Sequence, residues 1–88
     1  MHKVTIMSKP GCQRCEQVAE SVRKVIRVPV IIEVVDITKD QDLLEKYRND
    51  IPVVLIDGVE RFRHTIDAQE LLQFLSDEPG QRILGYTS

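Results

Sequence analysis

Val4, Ile6 and Met7 form a short apolar run between Lys3 and the polar stretch Ser8-Lys9-Pro10-Gly11, the pattern of a buried strand that ends in a turn. Downstream, Val18, Val22, Val25 and Ile26 recur at helical spacing, with Glu16, Glu20, Arg23 and Lys24 on the opposite face. This predicts a helix that Pro29 stops. Glu16 near its start, with Lys24 and Arg27 near its end, suits the helix dipole. The run VIIEVVDI, Val30 to Ile37, is nearly continuous in β-branched residues and predicts a strand covered on both faces. Thr38 with Gln41 makes a capping box for a short helix carrying Leu43, Leu44 and Tyr47 on one side, ended by Asn49 and Asp50. Asp40, Asp42 and Glu45 fall on its wet face. Ile51-Pro52 leads into VVLI, and Asp57-Gly58 joins that strand to Val59, Glu60, Arg61 and Phe62 as a hairpin. Asp67, with Glu70 three residues on, caps a last helix whose apolar face is Ala68, Leu71, Leu72 and Leu75 and which runs to about Ser76. Phe62 and Phe74 are expected in the core, and His64 in a solvated loop.

Strand, helix, strand, helix, strand, strand, helix is the order of an α/β fold. Two strands joined through a helix favour parallel pairing, and the hairpin adds antiparallel strands to give a four-stranded mixed sheet with helices on both faces. At 88 residues, one core and one domain are expected, spanning 1–78, with 79–88 as an irregular or weakly docked tail.

Composition narrows the function classes. Hydrophobic residues at 42% and charged residues at 30% are those of a folding chain. Twelve basic against fourteen acidic side chains, with no basic run, argue against a nucleic-acid partner. No apolar run approaches the roughly 20 residues that span a bilayer, and the apolar stretch in MHKVTIMSKPG is short for a signal peptide. The expectation is a cytoplasmic monomer without a membrane partner.

The chain's two cysteines, Cys12 and Cys15, stand two residues apart where the first strand gives way to the first helix. In a reducing compartment such a pair points to catalysis or metal binding rather than to a structural staple. A thiol at a helix start meets unpaired N–H groups and the positive dipole end, which favour thiolate and make Cys12 the candidate nucleophile. Cys15, three residues on, shares its side of the helix and is placed to resolve a mixed disulfide. Lys9 and Arg14 add nearby positive charge. Gly11, Gln13 and Arg14 make the stretch an exposed turn, which argues against two incidental buried thiols. The same pair supplies two ligands for zinc or one edge of an iron–sulfur cluster. His2 and His64 complete no ligand spacing, so that reading needs a site shared between chains or finished by small thiols. A noncatalytic binding module using the pair as a redox switch is the remaining class. Pro52, at a strand start, marks a second point of interest, with either a cis or a trans bond open to it.

Taken together, these elements resemble the thioredoxin superfamily, and specifically the small glutaredoxins, over about residues 3 to 76. The stretch IPVVLIDGVE is similar to that of short glutaredoxin-like proteins with a C-x-x-C site. The resemblance implies a thioredoxin/glutaredoxin-like fold and a thiol–disulfide oxidoreductase with Cys12 as nucleophile and Cys15 as resolving thiol. It implies that Lys9 holds a glutathione carboxylate. It further implies that Pro52 is the family's cis-proline, presenting the backbone of Ile51 and Val53 to a bound thiol peptide, and that Asp67 is the aspartate opening the last helix. Gln13 and Arg14 stand where glutaredoxins carry proline and an aromatic residue, and are counted with the substrate-contacting positions. Arg63 and His64 stand in place of the family's Gly-Gly turn. No resident cofactor is required; glutathione is a candidate reductant, and the partner is a disulfide-bearing protein or a glutathione-type thiol.

Overall fold

The computed structural model describes residues 2–75. Strands β1 (His2–Ser8), β2 (Val30–Asp36), β3 (Val53–Ile56) and β4 (Val59–Arg63) alternate with helices α1 (Gln13–Val25), α2 (Gln41–Tyr47) and α3 (Ala68–Phe74) in the predicted order. They form one sheet, ordered β2-β1-β3-β4. β1 pairs with β2 in parallel, and with β3 antiparallel, as β3 does with β4. The last pairing contains a register shift beside Val54 and Leu55, so Arg61 has no partner in the ladder.

β1 lies between β2 and β3 and sends buried apolar side chains to both faces. Val4 and Ile6 lie wholly buried on one face with Val18, Ala19 and Val22 of α1, Val54, Ile56 and Phe62 of the hairpin, and Leu71 and Leu75 at the far end. Met7 turns to the other face, against Ile37, Tyr47 and Val53. Helices therefore cover both faces, α1 and α3 on one and α2 on the other. Each large side chain removed from water in this way contributes about 1.5–3 kcal/mol.

The hairpin follows from Asp57-Gly58. Both residues take positive φ, 53° and 84°, the two-residue turn whose twist matches paired strands. Asp57 also fastens β1, since its carboxylate accepts the Lys3 N–H at 2.9 Å and the His2 ring nitrogen. These contacts hold its carboxyl below the usual range, the Lys3 N–H first and His2 second.

Four details differ from the sequence reading. β2 is an edge strand with no fully buried residue, and Ile31 and Val34 stand 52% and 49% exposed. Its β-branched run reflects strand propensity more than burial: Ile31 and Val34 lie on opposite faces of this edge strand, Val34 on the α1 side and Ile31 on the α2 side, and neither face is fully covered there. α1 ends at Val25, before Pro29, because Ile26 is already extended at φ −80° and ψ 124°. The α2 cap is Asp40 rather than Thr38: its carboxylate accepts from Asp42 and Leu43 N–H, whereas Thr38 donates both N–H and hydroxyl to Asp36, the cap of a 3₁₀ turn over Ile37–Lys39. In α3, Leu71 and Leu75 face the core but Leu72 is 45% exposed and Ala68 is exposed, because Phe74 takes the remaining inward place and meets Phe62 edge-on at 5.8 Å. α3 itself closes at Phe74 with Leu75 as its C-cap. Ser76 and the tail 79–88 fall outside the described residues.

Candidate functional site

The site begins with a turn dictated by Lys9-Pro10-Gly11-Cys12. Proline sets φ at the first central position, Gly11 takes φ 78° at the second, and the Cys12 N–H donates back to the Lys9 carbonyl at 3.3 Å. This is the Pro-Gly pattern of a type II turn. The turn delivers Cys12 as the N-cap of α1 in extended conformation, and the Cys12 carbonyl accepts the first helical bond, from Glu16 N–H at 3.2 Å. Serine, threonine and aspartate usually cap with an oxygen; here the Cys12 sulfur does so, accepting the Cys15 N–H at 3.2 Å.

Cys12 is partly exposed, whereas Cys15 is only 2% exposed, on the inner side of the helix with Val18 and Ala19. Their Cα atoms lie 5.3 Å apart, and the two sulfurs are joined as a disulfide. The helix therefore presents one sulfur to solvent and keeps its partner within bonding reach below. No cluster of three or more His, Cys, Asp or Glu suited to a metal ion occurs among the described residues.

An open hollow of about 510 Å³ surrounds Cys12, lined by Lys9, Gln13, Arg14, Gln17 and Ile51. A second, of about 440 Å³, shares Arg14 and Gln17 and continues along α1 past Ser21, with His64, Thr65 and Ile66 as its other wall. Lys9, Gln13, Arg14 and Ile51, all named from sequence, are thus brought to the first hollow. Pro52 is buried behind them, and the Ile51–Pro52 bond is cis. The Ile51 N–H donates to Tyr47 O at 3.1 Å, so Ile51 offers its side chain to the hollow while that N–H closes the end of α2. The Val53 side chain is wholly buried in the second core cluster. Asp67 caps α3, accepting from Gln69 and Glu70 N–H at 2.9 and 3.1 Å, and lines neither hollow.

Two residues outside the sequence-derived set shape this region. His64 holds φ 71°, and the Thr65 N–H bonds the Arg63 carbonyl across it at 2.8 Å, a γ-turn of the rarer positive-φ kind. Arg63 donates from its guanidinium to Glu60 and, at 3.1 Å, to Asp50, tying β4 to the loop that carries Ile51; Glu60 first and then Asp50 raise its pKa. The sequence signal was their position, but a non-glycine turn of this hand leaves no composition mark.

Residues 3–76 match the family model described as Glutaredoxin-like domain (DUF836). A glutaredoxin-like protein of Dictyostelium discoideum, a YDR286C homolog, is 29% identical over 75 residues, covering 77% of this chain and 69% of its own. Among solved structures, a structural genomics target from X. campestris superposes with a TM-score of 0.65 at 25% identity, over 82% of this chain and 93% of that one. Thioredoxin-2 of the malaria parasite gives 0.62 at 17% identity, over 85% and 81%.

Proposed function

Because this chain belongs to the glutaredoxin-like domain family of the thioredoxin superfamily, we propose that it is a thiol–disulfide oxidoreductase working through both thiols. The fold and the cysteine pair fit a redox function. One observation carries the finer reading: a partly exposed sulfur caps a helix and accepts an N–H, with a second, buried sulfur within bonding reach.

In the reduced protein the Cys15 N–H and the α1 dipole favour the Cys12 thiolate. That thiolate attacks one sulfur of a substrate disulfide, the S–S bond breaks, and the departing sulfur leaves with the electron pair and takes a proton from water. Cys15 then loses its proton and attacks the Cys12 sulfur of the mixed disulfide, releasing the second substrate thiol and leaving the Cys12–Cys15 disulfide. Two external thiols, with glutathione as the leading class, then reduce this disulfide, each giving one electron and one proton and together leaving as their own disulfide. Burial of Cys15 keeps it from outside disulfides, so it acts only on the neighbour delivered to it. Lys9 and Arg14 attract anionic substrates to the mouth, while Gln13 and Ile51 line it, with Pro52 and Val53 behind.

The substitution Cys12→Ser should abolish disulfide reduction, and Cys15→Ser should accumulate mixed disulfides visible by mass spectrometry. Wild-type turnover in both variants would overturn the proposal.

A further inference from the structure

The two hollows lie in line along α1, and their charge is one-sided. Arg14, Gln17 and Ser21 follow one another at helical spacing on one stripe, spanning about 10 Å at 1.5 Å per residue. No aspartate or glutamate lines either hollow. Lys9 and Arg14 form no ion pair among the described residues, unlike Lys3, held by Glu33, and Arg63, held by Asp50 and Glu60. Both Lys/Arg side chains that line the hollows are thus free to meet a ligand, in a chain whose net charge is −2. Across the Cys12 turn the balance reverses: the hollow of about 290 Å³ on that side is lined by Glu16 and Asp36 beside Val34, with Lys9, shared with the Cys12 hollow, as its one cation.

At the far end of the cationic side stands His64. A side chain here costs backbone strain that glycine would avoid, and the turn is held by its N–H to Pro52 O at 2.7 Å. His64 lines the second hollow together with Thr65 and, from α1, Ser21.

We propose that the preferred substrates are disulfides borne by acidic polypeptide segments, laid along α1 with a carboxylate against Arg14 and the chain reaching the His64 turn. The proposal rests on the oxidoreductase reading and names its substrate class. A thiol no larger than its own sulfur and a short stem stops at the first hollow. An extended segment, at about 3.3 Å per residue, covers the stripe with roughly three residues beyond its cysteine. Arg14 meets a carboxylate there as a fork of donors, and Glu16 with Asp36 repel the same segment laid the opposite way, so the charges fix direction as well as choice.

The test measures how fast the reduced full chain reduces two symmetric peptide disulfides, identical except for glutamates or lysines flanking the cysteine, by acid quench and chromatography. The readout is the ratio of the two rate constants, which cancels any change in thiol reactivity common to both. The acidic peptide should react about tenfold faster at low salt, with the ratio collapsing near 1 M salt, where screening reaches about 3 Å. Arg14→Glu should invert the preference, and His64→Gly should lower it. A wild-type ratio within about twofold of unity, or one unchanged by Arg14→Glu, overturns the proposal; an unchanged ratio in His64→Gly overturns the reach to the turn. Failure to reduce either peptide or bis(2-hydroxyethyl) disulfide with both thiols titratable sinks the oxidoreductase reading, and this proposal with it.

Discussion

The backbone N–H of His64 donates to the carbonyl of Pro52 at 2.7 Å while His64 itself holds φ 71°. This backbone bond fixes the turn after β4 to the loop beside Cys12, alongside the side-chain link from Arg63 to Asp50. The left-handed conformation costs a residue with a Cβ about 1–2 kcal/mol, and glycine returns part of that by its greater freedom in the unfolded chain. His64→Gly, which keeps the N–H, is therefore expected to stabilise the fold by about 0.5–1 kcal/mol in urea denaturation. His64→Pro removes the donor and forbids positive φ, and is expected to destabilise by about 3 kcal/mol. Destabilisation by glycine would mean that the imidazole, rather than the backbone, holds the turn.

Leu71 and Leu72 are adjacent in sequence and opposite in consequence. Leu71 is fully buried among α1 and sheet residues, and Leu72 is 45% exposed. Leu71→Ala should cost about 2–5 kcal/mol, from lost burial and the cavity left behind. Leu72→Ala should stay within about 0.5 kcal/mol. Equal losses in urea midpoints would place Leu72 in an interface that the isolated chain does not display.

How much of this was legible in the sequence depends on whether the signal was local. Asp57-Gly58 gave its hairpin and Pro10-Gly11 the turn before Cys12, because each demands a backbone conformation that few residues adopt. The cysteine spacing placed both thiols at the start of α1, Cys12 as its cap and Cys15 in its first turn. Burial was less legible where coverage depended on distant elements. The apolar run of β2 reads the same whether a helix crosses it or stops short, and the reach of α1 over one face and of α2 over the other decides. Leu72 fits the apolar stripe as well as Phe74 does, and it is Phe62, twelve residues earlier in the chain than Phe74, that selects the latter. Asp40 outcompeted Thr38 as a cap because Asp36 had already taken the threonine. The wall formed by His64, Thr65 and Ile66 had no motif, since it arises where the β4–α3 connection passes α1.

Two aspartates, Asp36 and Asp57, give the protein an acid-sensitive limb. Asp36 accepts the Thr38 hydroxyl, its strongest influence, and the Thr38 N–H. Asp57 accepts the Lys3 N–H and the His2 ring. Both carboxyls titrate below the ordinary 3.8 when folded. The unfolded chain therefore binds more protons in acid, so their contribution is complete above about pH 5 and drains as pH falls through 3.8 toward the lowered folded values. Urea midpoints measured from neutral pH down to about pH 3 should fall, and the double variant Asp36→Asn/Asp57→Asn should show a shallower fall. An unchanged acid slope would assign the limb to other carboxylates.

Gly11 connects stability to thiol chemistry. Its φ of 78° completes the turn from Lys9 that sets Cys12 as the cap of α1, and a Cβ added there meets nothing within 4 Å. The cost of Gly11→Ala is thus conformational and not steric, about 1 kcal/mol or somewhat more. If the turn is what holds the Cys12 sulfur on the Cys15 N–H, the substitution must also slow Cys12 as a nucleophile. In the reduced wild-type protein, iodoacetamide followed by peptide mass spectrometry should label Cys12 at least about tenfold faster than Cys15, since one is partly exposed and hydrogen-bonded and the other buried. In Gly11→Ala that advantage should shrink while Cys15 stays slow. Lower stability with an undiminished labelling ratio would show that the helix start activates Cys12 without help from the turn, and would move the origin of its reactivity to the α1 dipole alone.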